Sequence, residues 1–137
     1  MTHRILVLSD KSYRTYGGYA QSILNKAGYI TRVQNPSTYS ELGSQLPDLV
    51  VQEARVTVER RADKKDLALT RRVVKDILRS GKSISMLVVS AITGHRETRD
   101  FMRVLQRLGD GRFDYQRKAF NEDELLRQVR ELLGITT

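Results

Sequence analysis

The strongest constraint on this chain is an alternation. Five short runs rich in β-branched and apolar residues recur along it: "RILVLS" (4–9), "YITRVQ" (29–34), "DLVVQE" (48–53), "ISMLVVSA" (84–91) and "RFDYQR" (112–117). Runs of this length and make-up are strand signals. Between them the apolar residues change period. Ala20, Ile23, Leu24 and Ala27 lie on one helical stripe, closed by Gly28. Tyr39, Leu42 and Leu46 predict a short second helix ended by Pro47, and Leu67, Val74, Ile77 and Leu78 a third that stops at Gly81. Phe101, Val104, Leu105 and Leu108 fall at i, i+3, i+4 and i+7, a fourth. Asn121 with Glu124 three residues on resembles a capping box and opens a last helix through Leu125, Leu126, Val129 and Leu132 to Gly134.

Five strands alternating with five helices imply a parallel sheet covered on both faces, because right-handed crossovers must pack back onto the sheet. The expectation is an α/β, flavodoxin-like, doubly wound (βα)5 fold, with residues 1–137 as a single domain. The length fits one full hydrophobic core, and 39% hydrophobic with 29% charged residues fits a soluble globular chain. No apolar run approaches the roughly 18 residues that span a bilayer, so no membrane partner is expected. The start, "MTHRILVLSD", lacks a secretory signal, and the absence of cysteine excludes disulfides and thiolate metal sites. Cytoplasm is the expected compartment.

In such a sheet the working site lies at the carboxyl ends of the strands, near the topological switch point. The residues there are Ser9 and Asp10, Glu53 (ending "DLVVQE"), Ser90 and Ala91, and the segment from Tyr115 to Phe120. An acid closing a buried strand is placed rather than scattered.

These strand-end residues resemble those of response-regulator receiver domains, the phosphoacceptor modules of two-component signalling. The resemblance runs from Arg4 to Leu133 and is strongest in "LVVSA" and "FDYQRKAFNEDELLRQVRELL". It implies that Ser90-Ala91 is the hydroxyl-small pair after the fourth strand and that Lys118 is the lysine after the fifth. It also implies that Tyr115 is the switch aromatic three residues earlier. It puts Glu53 at the phosphoacceptor position, Ser9-Asp10 where two metal-holding acids stand, and Arg55 where a backbone carbonyl meets the metal. The chain departs from the family at Ser9, Glu53, Arg55 and Ala119. Glu is one methylene longer than Asp, about 1.5 Å, and about 1 Å of misplacement can cost on the order of a hundredfold in rate. The implied module is degenerate: Glu53 pairs with Lys118 as a phosphomimic, and Asp10 and Glu53 hold Mg²⁺ weakly or not at all. No cofactor and no enzymatic activity are expected. Asp10, Glu53, Ser90 and Lys118 are expected to converge in one pocket.

The chain is basic, with a formal net charge of +8. Residues 54–82 hold ten Lys or Arg against four acids. Arg96, Arg99, Arg103 and Arg107 recur at spacings of three, four and four, which places them on one face opposite the apolar stripe of the fourth helix. Glu97 and Asp100 are expected to neutralise that row in part. The resemblance makes the surface of the fourth helix, fifth strand and fifth helix a partner or homodimer face, and the arginines point to an acidic protein. Two alternatives stand beside this signalling reading. One is a basic nucleic-acid-binding module, drawn from the same charges. The other is a flavodoxin-like ligand-binding protein with a phosphate at "SDKSYRTY", although Asp10 opposes an anion there and P-loop glycine spacing is lacking. His3 and His95 are too far apart to argue a metal pair, and His95 is expected to be exposed.

Overall fold

The computed structural model describes residues 2–9, 16–54, 63–90, 95–117 and 121–135. The elements run β1 (Arg4–Leu8), α1 (Tyr16–Lys26), β2 (Ile30–Gln34), β3 (Leu49–Ala54), α2 (Lys64–Ser80), β4 (Ser85–Ser90), α3 (His95–Leu105), β5 (Phe113–Arg117) and α4 (Glu122–Leu133). All five strands pair in parallel in the order β2-β1-β3-β4-β5. The order reverses between β1 and β3, and that switch point sets Ser9 beside the end of β3.

Alternation along the strands divides the core in two. Ile5, Val7, Leu49, Val51, Leu87 and Val89 pack against α1 and α4, while Leu6, Leu8, Val50, Ala54, Met86 and Val88 pack against α2 and α3. Residues on the two sides differ by one position, so a single step along a strand moves a side chain from one helical layer to the other. Three helix ends follow the sequence signals: Asn121 accepts the N-cap hydrogen bonds of α4, and Gly81 and Gly134 close α2 and α4 in the left-handed region. α2 begins at a cap the sequence reading did not name, Asp63.

The second of the five predicted helices does not form. Between β2 and β3 there is only a 3₁₀ turn over Pro36–Thr38, followed by irregular chain to Pro47. Gly43 lies at φ +97°, outside the helical region, and the stretch is too short to repay helix nucleation. Tyr39 and Leu42 are nevertheless buried in the α2 layer, where Tyr39 donates to Asp76 Oδ2 at 2.6 Å. Their spacing reported burial, not helicity. The predicted fourth and fifth helices are therefore α3 and α4.

Candidate functional site

At the switch point, Ser9 is fully buried and its hydroxyl donates to Glu53 Oε1 at 2.9 Å. Ser9 Oγ also accepts the Gly17 N–H at 3.1 Å. One serine thus links the first turn of α1 to the carboxylate at the end of β3. The approach requires glycine. A Cβ on Gly17 would lie 2.8 Å from Ser9 Cβ, 2.9 Å from Ser9 Oγ and 3.1 Å from Val33 Cγ1. Tyr16, buried beside it, has its hydroxyl pKa pushed well above the ordinary value, first by burial and then by the Glu53 charge.

Ser90 lies on the other side of the sheet. It is in register with Ala54, whereas Glu53 is in register with Val89. Its hydroxyl donates to Glu97 Oε1 of α3 at 2.9 Å, and both residues are 0% exposed. Tyr115 of β5 packs nearby at 8% exposure, stacked on Phe101 with ring centroids 5.4 Å apart. Burial first, then the neighbouring Glu97 carboxylate, pushes its hydroxyl pKa up. Glu97 Oε2 and Tyr115 Oη are both buried in this cluster.

Of the residues singled out in the sequence, the structure brings Ser9 and Glu53 together and places Ser90 with Tyr115 in a separate cluster. Asp10, Arg55, Ala91 and Lys118–Phe120 lie outside the described residues, as does the His95 side chain. The pairing of Glu53 with Lys118 falls there too. Gly17 and Glu97 were not singled out in the sequence. Glu97 does not neutralise the arginine row, because it points inward. Its position was detectable: it precedes Phe101, Val104, Leu105 and Leu108 by four, seven, eight and eleven residues, so it belongs to their stripe.

Arg96, Arg99, Arg103 and Arg107 are all exposed on the outer side of α3 and its 3₁₀ extension. They stand where their spacing put them.

No family model and no curated protein matches the chain. Solved structures do. A CheY-like response regulator receiver domain protein from Methanospirillum hungatei aligns at TM-score 0.71 and 16% identity, over 98% of this chain and 95% of that one. A response regulator from Thermotoga maritima aligns at 0.68 and 24%, over 98% and 99%. The chemotaxis protein CheY4 of Vibrio cholerae aligns at 0.69 and 14%, over 96% and 99%. The chain has the response-regulator receiver fold.

Receiver-fold modules of the phosphoacceptor kind hold Mg²⁺ beside the acceptor carboxylate, so the local donors can be tested against that ion. Mg²⁺ takes a near-octahedral set of oxygens built around carboxylates and water. Among the described residues, no cluster of three or more Asp, Glu, His or Cys side chains suits a metal. Glu53 is the carboxylate at this point, and its Oε1 is engaged by Ser9. Asp10, the other acid singled out at this site, lies outside the described residues. Among the described residues, no helix is long and apolar enough to cross a membrane.

Proposed function

We propose that this chain is a degenerate receiver that signals through contacts with partners and not through phosphorylation of the residue at the acceptor position. The hydrogen bond from Ser9 Oγ to Glu53 Oε1 carries the reading. A carboxylate that is to attack a phosphoryl group needs a free oxygen in line with it and a cation to neutralise the incoming charge. Here one oxygen is engaged by a neutral hydroxyl, and that hydroxyl is itself held by the Gly17 amide. In this reading Glu53 is a fixed carboxylate at the switch point, tethered to α1 through Ser9. No catalytic step is assigned to it.

The contact surface in this reading is the arginine row on α3. Two copies meeting through it about a two-fold axis would set four arginines against four, which disfavours a homodimer through this face and favours an anionic partner. The test is incubation of the protein with acetyl phosphate and Mg²⁺, followed by intact mass and peptide mapping, with beryllofluoride binding in parallel. No adduct and no fluoride complex are expected. Saturable, Mg²⁺-dependent modification at Glu53 overturns the reading.

A further inference from the structure

The two helical layers differ in electrical sign. α2, α3 and the 3₁₀ turn after α3 carry ten Lys and Arg against four acids, a net of +6. α1 and α4 carry three against four, a net of −1. Side-chain packing sharpens the asymmetry. Of the four acids in the basic layer, Asp66 and Glu97 are buried, Asp76 is bonded to the Tyr39 hydroxyl, and Asp100 stays half-buried within the arginine row. The cations are exposed, although Arg72 is turned onto the Tyr39 ring and the Ser40 carbonyl. Lys64, Arg71 and Lys75 are exposed on α2 and fall within a ~40° arc opposite the buried Val73. The row Arg96, Arg99, Arg103 and Arg107 is exposed along α3 and the 3₁₀ turn that follows it, and α3 packs against α2 at the ~8–10 Å axial spacing of neighbouring helices.

We propose that this α2–α3 face binds the phosphate backbone of double-stranded nucleic acid, without reading its sequence. Three observations select that occupant. A protein interface needs an apolar core with large anchoring side chains, yet the only large hydrophobic residue exposed on these helices among the described residues is Leu78. A strongly positive surface poor in apolar groups matches nucleic-acid interfaces instead. Single strands are held largely by stacking on aromatic rings, and among the described residues the exposed aromatic is Tyr19, which belongs to α1 in the opposite layer. Finally, the row along α3 and the turn after it uses arginine at all four positions, the side chain whose planar fork pairs with phosphate oxygens two at a time. The inference does not depend on the state of Glu53.

The test is fluorescence anisotropy of the full chain with a random duplex of roughly 20 base pairs across a salt series. With about four to six phosphates neutralised, affinity is expected to fall on the order of a hundredfold or more between about 50 and 200 mM salt. R99E/R103E on α3 and R71E/K75E on α2 should each flatten the salt slope by about 2, whereas K26E on α1 should leave it unchanged. Circular dichroism checks folding, and Gln replacements at the same positions serve if a charge reversal disturbs it. Absence of duplex binding at low salt overturns the proposal, as does binding insensitive to both pairs of substitutions. Tighter binding of a single strand overturns the duplex assignment, and tighter binding of polyglutamate of matched charge turns the face into one for an acidic protein.

Discussion

Ser90 and Glu97 share a hydrogen bond 2.9 Å long inside the α3 layer, and it commits the hydroxyl at the tip of β4 to α3. Ser90→Ala takes the hydrogen bond from Glu97 Oε1 in a fully buried site. Leaving a buried polar group unmatched costs about 1–3 kcal/mol. Urea denaturation should show a loss of that size for Ser90→Ala. Glu97→Gln keeps the shape and an acceptor for Ser90, so a smaller change is expected.

The neighbouring glycines of α1 should respond to alanine with opposite signs. A methyl group at Gly18 would meet nothing within 4 Å, so Gly18→Ala gains about 0.5–1 kcal/mol from helix propensity. Gly17→Ala meets Ser9 and Val33 at 2.8–3.1 Å, and overpacking of that kind costs about 1–3 kcal/mol. Thermal or chemical melts of the two variants decide it.

Ser9→Ala removes the donor to Glu53 and the acceptor for the Gly17 N–H together. The expected loss is about 1–3 kcal/mol by denaturant midpoint, with the far-ultraviolet spectrum unchanged. Ser9→Thr keeps the hydroxyl but must fit an extra methyl into a fully buried site, so it should recover only part of the loss.

Tyr16, Tyr39 and Tyr115 all have their phenol pKa raised, burial being the first cause in each; Tyr39 is raised further by its hydrogen bond to Asp76. Each folded phenol holds its proton more tightly than the unfolded one. Their contribution to stability is therefore complete below the unfolded value of about 10 and is lost as pH rises above it. In an alkaline titration of tyrosinate absorbance, three of the six tyrosines should ionise late or together with unfolding. Ionisation of all six near the ordinary value would refute this.

Asp48 gives the opposite dependence. Burial alone would raise its pKa, but the Arg4 N–H at 2.8 Å and the Lys82 ammonium at 3.0 Å outweigh that and lower it. The stability it supplies is present above the ordinary carboxylate range and is lost as pH falls through its lowered value. Asp48→Asn should therefore flatten the acid limb of stability against pH, read by urea midpoints between about pH 5 and 2.

The strands, most helix limits and the outward arginine row could be read from the sequence because they follow from local periodicity. A β-branched run or an i, i+3, i+4, i+7 stripe expresses its preference with whatever it packs against. The same locality misled at Tyr39, Leu42 and Leu46, where the spacing was a consequence of burial and Gly43 at positive φ ruled out the helix. Glu97 was visible on the apolar stripe of α3, but its partner was not. Only the pairing of Glu53 with Val89 and of Ala54 with Ser90 decides that Glu53 turns to Ser9 and α1 while Ser90 turns to α3. Side chains one step apart on a strand face opposite layers, and the register joining distant strands is set by the packed sheet as a whole.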